Sequence, residues 1–272
     1  MAAATAELRI TKEALDDLYA RLNRREFVRP DPLEVLYDYP DLADREIAGL
    51  VAACLSYGRV RSIVNSVRTV LGRMPLPARF LAEASAKSLR EAFADFKHRF
   101  ATGRELAALL LGVKRLVERH GSLQAAFVAG LAAEHADVVP ALIRFAGELR
   151  EAAGGLDAHL LPCPTRGSAC KRLNLFLRWM ARRDAVDPGG WDGVSPAKLL
   201  VPLDVHMHRI CRALGLTRRD SADLRTAVEV TNAFRAFAPD DPVRYDFALT
   251  RLGIRPDTDL DAFLAKWGQQ TA

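Results

Sequence analysis

A chain of 272 residues is long enough for one large domain or two small helical lobes. Half of the residues are hydrophobic, enough for a sizeable core, so disorder is not the default reading, and plentiful Ala, Leu and Arg beside 7% aromatics favour helix over sheet. The formal charge is +5, yet segment 166–219 alone holds eleven Lys/Arg and four Asp, a net +7 that leaves −2 for everything else. Such a basic stripe fits a phosphate backbone and fits a solvated helix face equally well.

The elements follow in chain order. Helical spacing covers 12–22, where Lys12, Glu13, Asp16 and Asp17 stand with no apolar leader before them. Residues 29–32 (Arg-Pro-Asp-Pro) form a loop, and 42–55 reads as a buried helix capped by Asp41 or Asp44. Ser56-Tyr57-Gly58-Arg59 breaks it; a helix over 61–72 follows, and the Pro-containing run 74–77 ends that one. Helices are predicted over 85–96, 103–119, 122–131 and 137–152, the last tolerating Pro140 in its first turn and stopped by Gly154 and Gly155. A Pro-containing loop, 159–167, leads into a strong helix, 168–182. A long Gly/Pro/Trp loop, 184–202, precedes helices over 204–214, 221–237, 242–252 and 259–267. No segment has the period-2 alternation of a strand. No stretch of about 18 apolar residues could span a membrane. The four cysteines (Cys54, Cys163, Cys170, Cys211) form no C-x-x-C pair, so no zinc knuckle or iron–sulfur run is written here and a reducing cytoplasm is expected.

Two segments carry chemistry. In helix 168–182, Leu173, Phe176, Leu177 and Met180 recur at i, i+3, i+4 and i+7 and make a core face, while Lys171, Asn174, Arg178 and Arg182 lie along another stripe. Lys171 stands in the first turn, where the positive end of the helix dipole disfavours an ammonium, so it is a candidate nucleophile as well as an ordinary solvated lysine. In Val201-Pro-Leu-Asp-Val-His-Met-His-Arg209, Asp204 precedes a helix that it can cap. His206 and His208 stand beside it, but positions i and i+2 share no helix face, so no metal site is expected. His206 either lines a pocket or is structural. Trp191, in its Gly-rich loop, either stacks on a bound base or packs its indole on the core.

Leu203-Asp-Val-His-Met-His-Arg209 resembles the Val-Asp-x-His-Val-x-Arg segment of helix-hairpin-helix DNA glycosylases. The resemblance implies that Asp204 caps a helix and points into a base-flipping pocket, and that Lys171 is the upstream lysine of members that also cleave the backbone. The separation of 33 residues is longer than in the endonuclease III branch and similar to the archaeal 8-oxoguanine glycosylase branch. More widely, residues 30–256 resemble a bacterial family known as domain of unknown function 2400, in Cys170-Lys-Arg-Leu-Asn-Leu-Phe-Leu-Arg-Trp179, Asp187-Pro-Gly-Gly-Trp191 and Asp240-Asp-Pro-Val-Arg-Tyr-Asp-Phe-Ala-Leu-Thr250. The chain departs from the glycosylase pattern in lacking the Leu-Pro-Gly-Val-Gly hairpin, with only Gly167 before the helix, and in lacking an iron–sulfur cysteine set.

The expectation is therefore an all-α, helix-hairpin-helix glycosylase-like globule. Its lobes are approximately 42–155 and 156–272, with 1–41 packing on the second. Lys171 and Asp204 are the expected catalytic pair. Arg166, Gly167, Ser168, Arg172, Arg178, Arg182, Arg209 and Arg59 are expected on DNA, and Ser56, Tyr57, His206 and Trp191 at a base pocket. The expected activity is removal of a damaged base, an oxidised purine, with strand cleavage and without a cofactor, by a monomer in the cytoplasm at the nucleoid. A non-catalytic nucleic-acid-binding module on the same fold, or an enzyme acting on RNA or a modified nucleotide, stays open beside it.

Overall fold

Helical periodicity becomes thirteen α-helices among the residues that the computed structural model describes, 8–156 and 160–268. They are α1 (Lys12–Leu22), α2 (Leu42–Leu55), α3 (Val60–Gly72), α4 (Pro77–Glu83), α5 (Ala86–Ala92), α6 (Gly103–His120) and α7 (Leu123–Val128), then α8 (Val139–Ala152), α9 (Lys171–Ala181), α10 (Val205–Ala213), α11 (Leu224–Arg235), α12 (Asp246–Ile254) and α13 (Leu260–Trp267). Side-chain caps start many of them. Asp41 accepts from the N–H groups of Ala43 and Asp44, which decides between the two candidate caps of α2. Ser85, Thr102, Ser122, Asp204, Asp223 and Asp259 cap their helices in the same way.

Most differences from the sequence reading lie at helix ends, where local pattern is weakest. Helix 168–182 begins only at Lys171, because Gly167 (φ 76°) and Cys170 (φ 47°) turn the backbone left-handed just before it. α3 does end at Gly72, before the run 74–77, but Pro77 also opens a helix that was not expected, α4, since a proline lacks only an N–H that the first turn leaves unused. Pro32–Asp38 forms a short 3-10 helix, and Lys97–His98 pairs with Ala101–Thr102 as a two-residue hairpin, β1 and β2, the one sheet among the described residues. The loop expected from 159 has its first residue outside the described ones.

α2 is the central rod. Every residue from 47 to 55 is buried. α9 lies along it so closely that a Cβ on Gly49 would meet Phe176 and Met180 at 3.4 Å. α3, α4 and the Pro32–Asp38 turn pack around α2, α5 and α8 pack on α6, and α1 packs on α12. One cluster of buried apolar side chains runs from Ile10 to Leu252 and joins these layers. No helix of the described residues is long and apolar enough to cross a membrane.

α9 corrects the sequence reading. Leu173, Phe176, Leu177 and Met180 do face the core, but Asn174, placed on the other stripe, and Arg178 and Arg182, expected on DNA, are buried too. Both arginines are about 3% exposed. Arg178 donates to Asp187 at 3.2 Å and to Asp246; Arg182 donates to Asp187, Asp241 (2.8 Å) and Asp184 (2.9 Å). The C-terminal half of α9 is covered, so Arg178 and Arg182 are matched inside the protein by acids from 184–187 and 241–246. Removing the Arg182 guanidinium would leave buried Asp187 with Arg178 alone and the mostly buried Asp184 without its cation. Arg182→Ala should therefore lower stability by about 3–5 kcal/mol, read as a drop in the urea or thermal midpoint. The same change at exposed Arg183 should stay within about 0.5 kcal/mol.

Candidate lysine–carboxylate site

The site is assembled at two helix starts. Upstream of α9, the segment 167–170 is pinned to the start of α11: the N–H of Leu224 donates to the carbonyl of Gly167 at 2.9 Å, and Ser168 pairs with Asp223 in an isolated bridge. The N–H of Cys170 donates to Ser168 Oγ at 3.1 Å, and Asn174 Nδ2 donates to the Ala169 carbonyl at 2.9 Å. These bonds hold Lys171 at the first position of α9. Asp204 caps α10, accepting from the N–H of Met207 at 2.8 Å, which orients its carboxylate.

Across those 33 residues of sequence, Lys171 Nζ meets Asp204 Oδ2 at 2.7 Å, each side chain still 37% exposed. Burial pushes the Asp204 carboxyl up, but the Lys171 charge and hydrogen bond and the Met207 N–H reverse this and hold it below the ordinary carboxylate value.

Lys171 stands between two cavities. The larger, about 430 Å³, is lined by Ser56, Tyr57, Arg166, Gly167, Ser168, Lys171, Arg172 and Asp223 among others. The smaller, about 200 Å³, is lined by Asp31, Ser56, Gly58, Lys171, Asp204, Asp246, Phe247 and Arg251 among others. Ser56 and Tyr57 thus reach the cavities, as the sequence suggested. Arg166, Gly167 and Ser168 are exposed at the rim of the larger one, and Arg59 and Arg209 are exposed as well. Arg172 lines the larger cavity but is largely turned inward: its Nη1 donates to the carbonyls of Cys54 (2.6 Å) and Leu160 (3.1 Å), and its guanidinium lies 5.0 Å from the Tyr57 ring centre.

Two base-pocket candidates lie elsewhere. Trp191 is buried, with its indole N–H donating to Glu46 at 3.1 Å and its ring against Phe176 and Phe127; the reading that packs the indole on the core is the correct one. His206 lines neither cavity. Its ring abuts Gly253 of α12, where a Cβ would come within 2.2 Å of Nε2. His208 is buried with Nε2 at 2.9 Å from the Arg219 carbonyl.

The sequence reading missed the far wall of the smaller cavity. Asp31, which arrives from the N-terminal segment, accepts from Arg251 of α12, and Arg251 lies 4.6 Å from the Phe247 ring centre. Asp246 and Phe247 stand within the family-like run 240–250, so a signal was present, but nothing local indicated which of its residues faced a cavity.

The fold and the site define a helix-dominated protein that holds a lysine–carboxylate contact between two cavities. A family model described as a protein of unknown function (DUF2400) matches residues 31–255, and the chain belongs to that family. No curated protein and no solved structure matches it.

Because Asp204 is held below its ordinary value of 3.8, the stabilisation from its ionised form is present above that value and is lost as pH falls through the lower, folded one. The stability deficit of Asp204→Asn should therefore be constant from about pH 5 to about pH 8 and shrink below about pH 4, measured by urea unfolding across that range.

Proposed function

We propose that this protein is a DNA glycosylase with Schiff-base lyase activity on a damaged base, an oxidised purine, acting in base-excision repair at the nucleoid. The observation that carries the reading is the 2.7 Å contact of Lys171 Nζ with Asp204 Oδ2 on the wall between two cavities. The resemblance of 203–209 to the glycosylase segment supports the same pair.

A base inside a duplex is shielded, and extruding it costs a few kcal/mol. The smaller cavity, about 200 Å³, is below the size of drug-binding pockets and suits one planar ring system. Exposed Arg59, Arg166 and Arg209 are available to phosphates. As the glycosidic bond loosens, positive charge grows on the sugar, and the Asp204 carboxylate, kept ionised by its partners, stabilises it. Lys171, after losing a proton, attacks C1′ with its nitrogen lone pair. The bond from C1′ to the base breaks, and the base nitrogen keeps that electron pair and takes up the proton. Opening of the sugar ring yields the protonated imine, which acidifies the 2′ hydrogen. Loss of that hydrogen as a proton expels the 3′ phosphate and cuts the strand.

Incubation with duplexes carrying oxidised purines or abasic sites, followed by borohydride, should trap a covalent adduct that peptide mass spectrometry maps to Lys171. Lys171→Ala should abolish both adduct and strand cleavage. Asp204→Asn, which keeps a capping oxygen but loses the charge, should cut the rate by about 10²-fold or more with duplex affinity largely retained. Tight duplex binding without any adduct would favour a non-catalytic binding module. Base release from RNA alone would move the substrate class.

A further inference from the structure

Five large apolar side chains stand exposed among the described residues, and two of them, Phe100 (70% exposed) and Val60 (40%), belong to elements docked on each other. The register of the hairpin pairs Lys97 with Thr102 and His98 with Ala101, so Arg99 and Phe100 are its two turn residues. Val60 opens α3 directly after the 56–59 turn. Single apolar side chains scattered over a surface are ordinary, whereas two on one fixed mount with a polar rim mark an interaction surface.

The mount is built from buried hydrogen bonds. His98 Nε2 lies 3.1 Å from the Tyr57 carbonyl oxygen, and the Tyr57 hydroxyl donates to the His98 carbonyl at 3.0 Å. Facing a carbonyl, Nε2 carries the ring hydrogen, so Nδ1 accepts from the hydroxyl of Ser66 on α3, 2.9 Å away. The Arg99 side chain covers Gly58, where a Cβ would meet it at 2.8 Å, and Thr102 caps α6 reciprocally with Glu105. Hairpin, turn and α3 are therefore held together before any partner arrives, and binding does not have to supply the entropy of ordering them.

The rim is basic. Arg59, Arg61, Lys97, Arg99 and Arg104 are all exposed, and none forms an ion pair among the described residues. The acids at hand are engaged: Asp95 holds Arg73 in a bidentate pair at 2.6 and 2.9 Å, and Glu105 accepts from the Thr102 N–H at 2.8 Å. A partner that fits this surface brings negative charge and apolar side chains together. A nucleic-acid backbone brings the charge without aliphatic or aromatic side chains. The Phe100 ring is also no bare stacking platform, because the Arg99 guanidinium lies over it, 5.7 Å from its centre. An acidic polypeptide segment with an apolar residue brings both.

We infer that the 97–102 hairpin and the start of α3 form a docking surface for an extended acidic segment of a partner protein. Its Asp and Glu side chains pair with the exposed cations, and its apolar side chain packs against Phe100 and Val60. The cations set the rate of encounter and the register, while the apolar contact supplies the larger share of the affinity. Neither a base nor the lysine chemistry enters, so the inference is independent of the glycosylase reading.

The probe is a short fluorescein-labelled peptide of Asp and Glu with one central Phe, read by fluorescence anisotropy beside a control peptide in which that Phe is Ala. The full-length wild type should bind the Phe peptide on the order of tenfold more tightly than the control, and salt should weaken both. Phe100→Ala should lose the preference between the two peptides with an unaltered melting temperature. Lys97→Glu with Arg104→Glu, both on the surface, should weaken both acidic peptides and instead favour a Lys-rich peptide with the same central Phe. Equal affinity of the wild type for the Phe and Ala peptides, or a preference that survives Phe100→Ala, would overturn the docking surface. Binding of single-stranded oligothymidylate through Phe100, with neither acidic peptide bound, would overturn it as well and assign the patch to nucleic acid. None of these results bears on the borohydride adduct at Lys171, so the two readings fail separately.

Discussion

Two guanidiniums inside a helical core control much of this architecture. Arg178 and Arg182 lie on one face of α9, four residues apart, and between them bind carboxylates from the 184–187 loop, from 241 and from the first turn of α12. Tyr19 of α1 donates to Asp184 at 2.9 Å, and Tyr245 donates to Asp16 of α1 at 2.8 Å, so the network extends to the N-terminal helix. Burial opposes each charge, and the arginines stay charged because the carboxylates around them outweigh that penalty. Such a cluster contributes little net stability compared with a hydrophobic one of the same volume. It is selective, however, because each guanidinium must meet its carboxylates, Asp187 shared between the two, or leave charge buried without a partner.

That selectivity determines where the site lies. α12 is attached to α9 through Asp246, whose neighbour Phe247 lines the smaller cavity, and Arg251, one turn on, ties the helix to Asp31. Lys171 and Arg178 are on the same helix, two turns apart, so the network that clamps the middle of α9 also fixes the height of the lysine above the cavity floor. The carboxylate partner arrives independently, on α10, whose cap geometry is local. The 2.7 Å contact therefore joins one element positioned by a buried network to another positioned by its own N-terminus.

The described surface is consistent with this division of labour. Of the basic residues between 166 and 219, the most deeply buried serve the fold, while Arg166 and Arg209 remain outside. A second basic group, Arg59, Arg61, Lys97, Arg99 and Arg104, gathers around the 56–59 turn from two distant parts of the chain. Linear charge counting cannot find such a group, because charges separated by about forty residues in sequence become neighbours only when the hairpin docks on the turn.

By itself the sequence determined the helical class, most helix positions, the core face of α9 and the two residues that meet at the site. Each of these depends on local physics: apolar spacing sets a helix, an Asp before it supplies the cap, and the motif around 203–209 is contiguous. The tertiary structure alone decided which charges are inside. Arg178 and Arg182 have the spacing of a solvated face, Trp191 stands in a loop where base stacking and core packing were both open, and Asp246 is one acid among several in its run. Whether a polar side chain is buried depends on what covers it. For these residues the cover comes from α2, α12 and the 184–187 loop, elements whose approach is set by packing over the whole chain and leaves no periodic trace in the residues themselves.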